Sequence, residues 1–261
     1  MIDQSRYEHI ELDARDDGVL VARLNRPKCL NAINERLHNE ISWLPVDVDL
    51  DDNVNALVIT GNGRAFTAGG DLREPMDTRP GAATFKVGRH VVDHILACEK
   101  PIIAAVNGAA RGLGVTLALL CDVVYAHRDA SFADTHSLIG AGAGDGAQLI
   151  WPSLAGPNWA KYYLMTGETI SAAEAERLGL VNFLVDGDVE SAAVEFAQRL
   201  SQGNQRAIRA SKVAINAQLR SSAAWVVPYG LVAGQVSPDH AHQFPSPGRT
   251  TERLPAAENS R

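Results

Sequence analysis

Residues 101–126 read PIIAAVNGAARGLGVTLALLCDVVYA. An apolar run, 101–106, ends in Asn107-Gly108, and a second apolar run, 115–120, begins just after two further glycines. Short apolar runs that end in turn residues are typical of buried strands, and the glycine-bounded run that follows is typical of a buried helix. A strand followed closely by a helix predicts an α/β fold.

The same pattern recurs outward from this stretch. Three more apolar runs end in turn residues or polar loops, namely 19–24, 56–60 and 122–126. After Gly146 the pattern becomes helical, with helices predicted over 157–166, from 171 to near Gly179, over 188–200 and over 204–219. We therefore expect a β-rich core over 1–200 and a helical C-terminal region over 201–261. That region should be shortened and should end in a flexible tail.

Composition excludes several classes of protein. The 261 residues carry 24 Lys plus Arg and 31 Asp plus Glu, and the net charge of -7 disfavours a nucleic-acid partner. Cys29, Cys98 and Cys121 are odd in number and far apart, which argues against a disulfide framework and a zinc site. The N-terminus lacks a secretory signal pattern and no apolar stretch is long enough for a membrane span. We expect a cytoplasmic protein with no bound metal and no membrane contact.

Two glycine-containing segments follow buried strands: 65–72, AFTAGGDL, and 107–114, NGAARGLG. Glycine lets a backbone N–H approach a cavity closely, and a helix N-terminus carries unpaired N–H groups that suit a developing oxyanion. Each segment alone is equally compatible with an ordinary turn. Together they can direct one N–H each at a single carbonyl oxygen.

The chain resembles the crotonase superfamily, and within it the enoyl-CoA hydratase/isomerase family. The resemblance extends over most of residues 10–240 in the family's order. The segments that carry it are 20–34, 65–72, 107–114, 121–126, 132–136, 164–167 and 175–182.

This resemblance implies a spiral of ββα turns with a helical trimerisation region, in a homotrimer or homohexamer. It also implies an acyl-CoA thioester as substrate, with no cofactor beyond the CoA moiety. The thioester oxygen is expected between two backbone N–H groups, which map to Ala68 and Leu113. The CoA nucleotide contacts map to Lys28, Leu30, Ala65, Phe66 and Asp71, although Lys28 is also compatible with a solvated surface charge.

Departures from the family pattern bear on the reaction. Hydratases of this family use two glutamates, and the corresponding positions here are Thr116 and His136, so the usual route to water addition is lost. Asp145, in the glycine-rich stretch 139–146, is the best candidate acid/base, with His136 second. One carboxylate suffices for an isomerase that moves a proton between C2 and C4.

Other interpretations remain open at this level. Asp145 is also compatible with a turn residue, and His136 with a hydrogen-bonded loop histidine. The alternative functions are an acyl-CoA hydrolase or dehalogenase with Asp145 as nucleophile, a hydratase that uses His136, and a non-catalytic acyl-CoA-binding protein. RNA-binding relatives are disfavoured by the negative net charge.

Overall fold

The fold is that of a computed structural model, which describes residues 2–74 and 83–233, with 83–87 as backbone only. The strands are β1 Ile10–Ala14, β2 Val19–Leu24, β3 Ala56–Gly61, β4 Ala65–Thr67, β5 Ile102–Val106, β6 Ala109–Arg111, β7 Val123–His127, β8 Ser131–Ala133, β9 Ile170–Ser171 and β10 Phe183–Val185. The helices are α1 Glu35–Leu50, α2 Ala83–Ala97, α3 Leu113–Leu120, α4 Ala147–Thr166, α5 Ala172–Arg177, α6 Val189–Ser201 and α7 Gln205–Ala233.

The strands form two sheets that share the turns of one spiral. The larger sheet has the order β1-β2-β3-β5-β7-β10, and the smaller has the order β4-β6-β8-β9. Consecutive strand pairs β3/β4, β5/β6 and β7/β8 each place one strand in each sheet, and a helix follows each pair. This is the predicted repetition of ββα turns in an α/β fold.

The larger sheet is buried on both faces. Leu20, Ala22 and Leu24 of β2 belong to the main core, whereas Val19 and Val21 face a second core that α6 covers. Parallel strands covered on both sides are expected to be almost continuously apolar. This explains why the apolar runs in the sequence identify these strands.

The predicted helix ends rest on residues that are close together in the sequence, and most of these ends are confirmed. Ser171 accepts a hydrogen bond from the Glu174 N–H at 3.2 Å and begins α5. Asp188 caps α6, and Gly167 ends α4 in the left-handed conformation. Within α4, Gly156 breaks the helical geometry directly before the predicted start at 157. Side-chain caps and C-terminal glycines act within a few residues, so sequence alone reveals them.

The predicted end of the last helix, at 219, is wrong. Helix α7 continues to Ala233 through Pro228, and Ala223, Val227 and Gly230 are buried on it. It packs against α2 and α4, so burial on this long face outweighs the local end signals. The predicted shortened closing segment and flexible tail lie outside the described residues.

The predicted boundary near residue 200 falls between two helices with different neighbours. Helix α6 packs on the larger sheet, whereas α7 packs on α2 and α4. Lys212 of α7 reaches back to the core, where its Nζ lies 2.7 Å from Asp122 Oδ2 and donates to the Lys100 carbonyl. The division into a core and a C-terminal region stays a prediction.

No helix within residues 2–74 and 83–233 is both long and apolar enough to cross a bilayer.

His38 makes the contact between α1 and α2 sensitive to acid. Its side chain is 4% exposed, and burial, aided by the nearby His90, lowers its pKa to about 4. Between pH 6.5 and 4 the unfolded chain therefore binds a proton that the folded protein does not. We expect up to about 3 kcal/mol of stability to be lost across that window.

Urea unfolding at pH 7 and pH 4.5 measures this loss. His38→Leu should make the unfolding free energy less dependent on pH, whereas His9→Gln, outside α1 and α2, should not. An unchanged pH dependence in His38→Leu would show that other groups cause the acid loss.

Candidate active site

The two glycine-containing loops meet at one edge of the smaller sheet. Strands β4 and β6 are parallel neighbours, so the loops that follow them leave from the same end. A Cβ on Gly69 would lie 2.9 Å from the Arg111 carbonyl oxygen, and one on Gly114 would collide with the Thr67 side chain. Glycine at both positions permits this close approach.

The structure corrects the prediction for Ala68. Its backbone N–H donates to the Leu30 carbonyl at 2.9 Å, so it is not available to a substrate oxygen. The segment after β4 runs alongside residues 30–33, a pairing between chain segments far apart in sequence. Local sequence patterns carry no signal for this contact, which is why the prediction chose the wrong amide.

Gly70 supplies the amide that Ala68 does not. The Gly69 carbonyl accepts from the Ile33 N–H at 2.8 Å. In a trans peptide the C=O and N–H point in opposite directions, so the Gly70 N–H points away from Ile33. It has no hydrogen-bond partner among residues 2–74 and 83–233, and nothing lies within 4 Å of where a Gly70 Cβ would be.

Leu113, the position that the resemblance implies, offers the second amide. It is the first residue of α3, and the Gly112 carbonyl accepts from Val115 and Thr116 inside the helix, at 2.9 and 3.3 Å. The N–H of the same peptide therefore points out of the helix N-terminus. In the described part of the chain no group accepts from it.

The two candidate acid/base residues lie beside this pair of amides. His136 Nε2 is 3.6 Å from Asp145 Oδ2, and the two side chains are 23% and 15% exposed. The His136 ring also lies against the second loop, because a Cβ on Gly112 would be 3.7 Å from its Cε1. The structure therefore brings His136 and Asp145 close to the unpaired backbone N–H groups that suit an oxyanion.

Asp145 is held in place by neighbours from two helices. The Thr116 hydroxyl donates to its Oδ1 at 3.2 Å, and the Ala147 N–H lies 3.4 Å from the same oxygen. Burial raises the pKa of Asp145, while the His136 charge opposes that effect. Thr116, at the first glutamate position of the family, thus orients an acid instead of supplying one.

His136 is surrounded by negative charge. Burial disfavours its charged form, but Asp145 and Asp134 outweigh that effect and raise its pKa to about 9. The imidazole is therefore protonated at neutral pH. It can donate a proton or stabilise an anion there, but it cannot readily accept a proton from water.

The predicted CoA contacts Lys28 and Leu30 lie in one short segment, and Asp71 lies in the first loop. Lys28 is exposed on a 3-10 helix, and Leu30 follows it with a positive φ of 56°. The Asp71 carboxylate accepts from Arg26 at 2.8 Å and from the Arg73 N–H at 3.0 Å, so its described contacts are internal. These nucleotide contacts stay a prediction.

Ala65 and Phe66 are buried, and their carbonyls accept from the Asn31 side chain at 2.9 and 3.2 Å. Asn31 was missed as a site residue. Its side chain bridges the segment before α1 to β4, and its buried position is the result of tertiary pairing.

Asp134 was also missed. It is fully buried, and its Oδ1 lies 2.7 Å from His136 Nδ1. The sequence does contain a signal, since an aspartate two residues before a candidate catalytic histidine is close enough to bond it. Ligand-type atoms of Asp134, His136 and Asp145 lie within 4.8 Å of one another, a spacing that a metal ion also permits. The direct Nδ1–Oδ1 contact favours a hydrogen-bonded proton network.

Comparison with known proteins identifies the family of this chain. A sequence model described as enoyl-CoA hydratase/isomerase matches residues 14–227. The crotonyl-CoA hydratase of Syntrophomonas wolfei is 38% identical over 217 residues, covering 80% of this chain and 82% of that protein. The probable enoyl-CoA hydratase echA8 of Mycobacterium tuberculosis is 36% identical over 217 residues, covering 83% of this chain and 84% of that protein.

Solved structures agree as well. An enoyl-CoA hydratase/isomerase from Mycobacterium paratuberculosis superposes with a TM-score of 0.83 at 36% identity, covering 87% of this chain and 92% of that chain. DspI of Pseudomonas aeruginosa superposes with a TM-score of 0.76 at 29% identity, covering 85% of this chain and 86% of that chain. With a family match over most of its length and the same fold, the chain belongs to the enoyl-CoA hydratase/isomerase family of the crotonase superfamily.

Proposed function

We propose that this enzyme isomerises an enoyl-CoA thioester by carrying a proton between C2 and C4. The observation that carries the proposal is the half-buried Asp145–His136 pair, 3.6 Å apart, beside two unpaired backbone amides. One carboxylate is enough for this reaction, because the proton it removes is returned to the same molecule.

The amides of Gly70 and Leu113 are proposed to hold the thioester oxygen. Removal of a proton next to a thioester places negative charge on that oxygen as the enolate forms. Two N–H groups fixed before the reaction stabilise this charge without reorganising, and one such donor is worth roughly 2.7–4 kcal/mol. The oxyanion site is built from backbone atoms, so the side chains at these positions matter little.

Asp145 is proposed as the proton carrier. Burial raises the pKa of Asp145 and so makes its carboxylate more basic, whereas the neighbouring His136 charge opposes that effect. A raised pKa suits a group that must accept a proton from carbon. Activity should decline as pH rises through about 9, where His136 loses its charge.

Hydration is the second candidate, because several relatives are named hydratases. It requires a group that accepts a proton from water as well as one that protonates C2. Thr116 has no basic form near neutral pH, and His136 is already protonated there. The two positions that carry glutamates in the family's hydratases thus supply no base for water, whereas Asp145 alone suffices for isomerisation.

Assays on one preparation distinguish the two reactions. We expect a 3-enoyl-CoA to be isomerised at an ordinary rate of about 1–10³ s⁻¹, and crotonyl-CoA to be hydrated at least about 10²-fold more slowly. Hydration as fast as isomerisation would contradict the proposal. Release of free CoA, or a covalent acyl adduct on Asp145 found by mass spectrometry, would favour the hydrolase or dehalogenase alternative instead.

The homotrimer or homohexamer implied by the resemblance stays a prediction. In its support, α7 exposes large apolar side chains, with Trp225 69% exposed and Tyr229 74% exposed. Exposed apolar patches of this kind are typical of contact surfaces.

A further inference from the structure

We propose that Asp134 is a positioning residue, whose buried carboxylate fixes the ring orientation and the protonated nitrogen of His136 so that Nε2 faces Asp145. This inference rests on the proposed function for its effect on turnover, but its structural content does not depend on the reaction. No substrate contact is assigned to Asp134.

Asp134 holds His136 at two points. Its Oδ1 accepts from the His136 backbone N–H at 3.1 Å and lies 2.7 Å from the ring Nδ1. An ionised carboxylate can only accept hydrogen bonds, so Nδ1 must carry the proton in this contact. One carboxylate oxygen thus restrains both the backbone and the ring of His136.

The remaining contacts of the ring follow from this restraint. With Nδ1 turned to Asp134, Nε2 is on the other side of the ring and lies 3.6 Å from Asp145 Oδ2. The carbon between the two nitrogens, Cε1, faces Gly112 at the second loop. The ring is therefore enclosed by Asp134, Asp145 and the loop that carries the Leu113 amide.

The burial of Asp134 is hard to explain as a contribution to stability. The residue is 0% exposed, and its Oδ2 has no hydrogen-bond partner among residues 2–74 and 83–233. A buried carboxylate oxygen without a partner is unfavourable for folding. A role in charging and orienting His136 gives a physical reason for an acid at this position.

Only two charged side chains within the described residues influence the His136 ring, Asp134 and Asp145. Removal of either charge should make the imidazolium easier to deprotonate, and an opposite charge at this range accounts for about 1–3 pKa units. The two acids differ in role, because Asp145 also carries the substrate proton. Their effects on titration and on chemistry can therefore be separated.

The test compares Asp134→Asn and Asp134→Glu with wild type by NMR titration of the His136 ring, assigned with His136→Gln. In wild type we expect the neutral ring above its pKa to keep the proton on Nδ1. Asp134→Asn should lower the His136 pKa by about 1–3 units. The alkaline limb of the kcat profile for the 3-enoyl-CoA should move by the same amount, so that kcat at pH 8.5 falls about 3-fold for a one-unit shift and about 200-fold for a three-unit shift.

Asp134→Glu keeps the negative charge and should therefore retain part of the raised His136 pKa. KM should change little in either variant. At pH 6 the kcat of the Asp134→Asn enzyme should lie within about twofold of wild type, because at least about half of His136 is protonated there even after a three-unit shift. Asp129→Asn is the matched control, since Asp129 lies 3.8 Å from His127 but is 91% exposed. It should leave the His136 titration and the kcat profile unchanged.

An unchanged His136 pKa and an unchanged alkaline limb in Asp134→Asn would overturn the inference. If Asp134→Asn does not fold, the wild-type spectrum decides, because a neutral ring protonated on Nε2 contradicts the proposed restraint. A shifted pKa in an enzyme with no isomerase activity would refute the proposed function while supporting the role of Asp134.

Discussion

Asp145→Asn is expected to lower the turnover of a 3-enoyl-CoA by about 10²–10⁴-fold, the usual contribution of a general acid/base group. Asparagine keeps the size of the side chain and can still accept from the Thr116 hydroxyl. It cannot take a proton from carbon at any working pH. Binding of the thioester should change little, because the backbone amides and the CoA contacts remain.

Steady-state kinetics and a direct binding measurement with a saturated acyl-CoA separate these two effects. Asp186→Asn is a suitable control, because Asp186 is an exposed acid that pairs with Arg128. Thermal unfolding of each variant reports any loss of stability. A folded Asp145→Asn enzyme with wild-type turnover would make Asp145 a turn residue and His136 the leading candidate.

Gly70→Pro is expected to lower turnover by about 10²–10³-fold, because proline has no N–H and removes one donor to the enolate oxygen. Gly70 does not have a positive φ, and a Cβ there would meet nothing within 4 Å. Gly70→Ala keeps the amide and should retain most activity. The contrast between the two variants isolates the N–H from the side chain.

Kinetics on both Gly70 variants, with circular dichroism to verify folding, measures this contrast. Equal turnover in Gly70→Pro and Gly70→Ala would show that the Gly70 amide does not contact the substrate oxygen. An equal loss in both would indicate that packing of the first loop, and not the hydrogen bond, sets the rate.

Much of the fold is encoded in local sequence. Buried parallel strands produce apolar runs such as 56–60, and capping at Ser171 and Asp188 marks where helices begin. These signals depend on residues a few positions apart, so the sequence reveals them without any knowledge of the tertiary structure. The candidate acid/base residues came instead from the resemblance, His136 by its match to the second glutamate position of the family's hydratases and Asp145 by its place in the stretch 139–146.

Longer-range packing decided where two of the helices end. Proline inside a helix normally marks an end or a kink, yet α1 continues past Pro45 to Leu50 and α7 continues past Pro228 to Ala233. In both helices an apolar face buried against neighbouring elements compensates for the lost hydrogen bond. The local penalty is visible in the sequence, whereas the compensating contacts are not.

The sequence pointed to the two loops and, through its resemblance to the family, to Leu113, His136 and Asp145. Tertiary structure decided which amide of the first loop is free, because Leu30 and Ile33 occupy one side of that segment and leave only the Gly70 N–H directed away from them. It also placed Asp134 on the His136 ring. Hydrogen-bond direction depends on which segments pair across the fold, and a linear pattern of residue types does not contain that pairing.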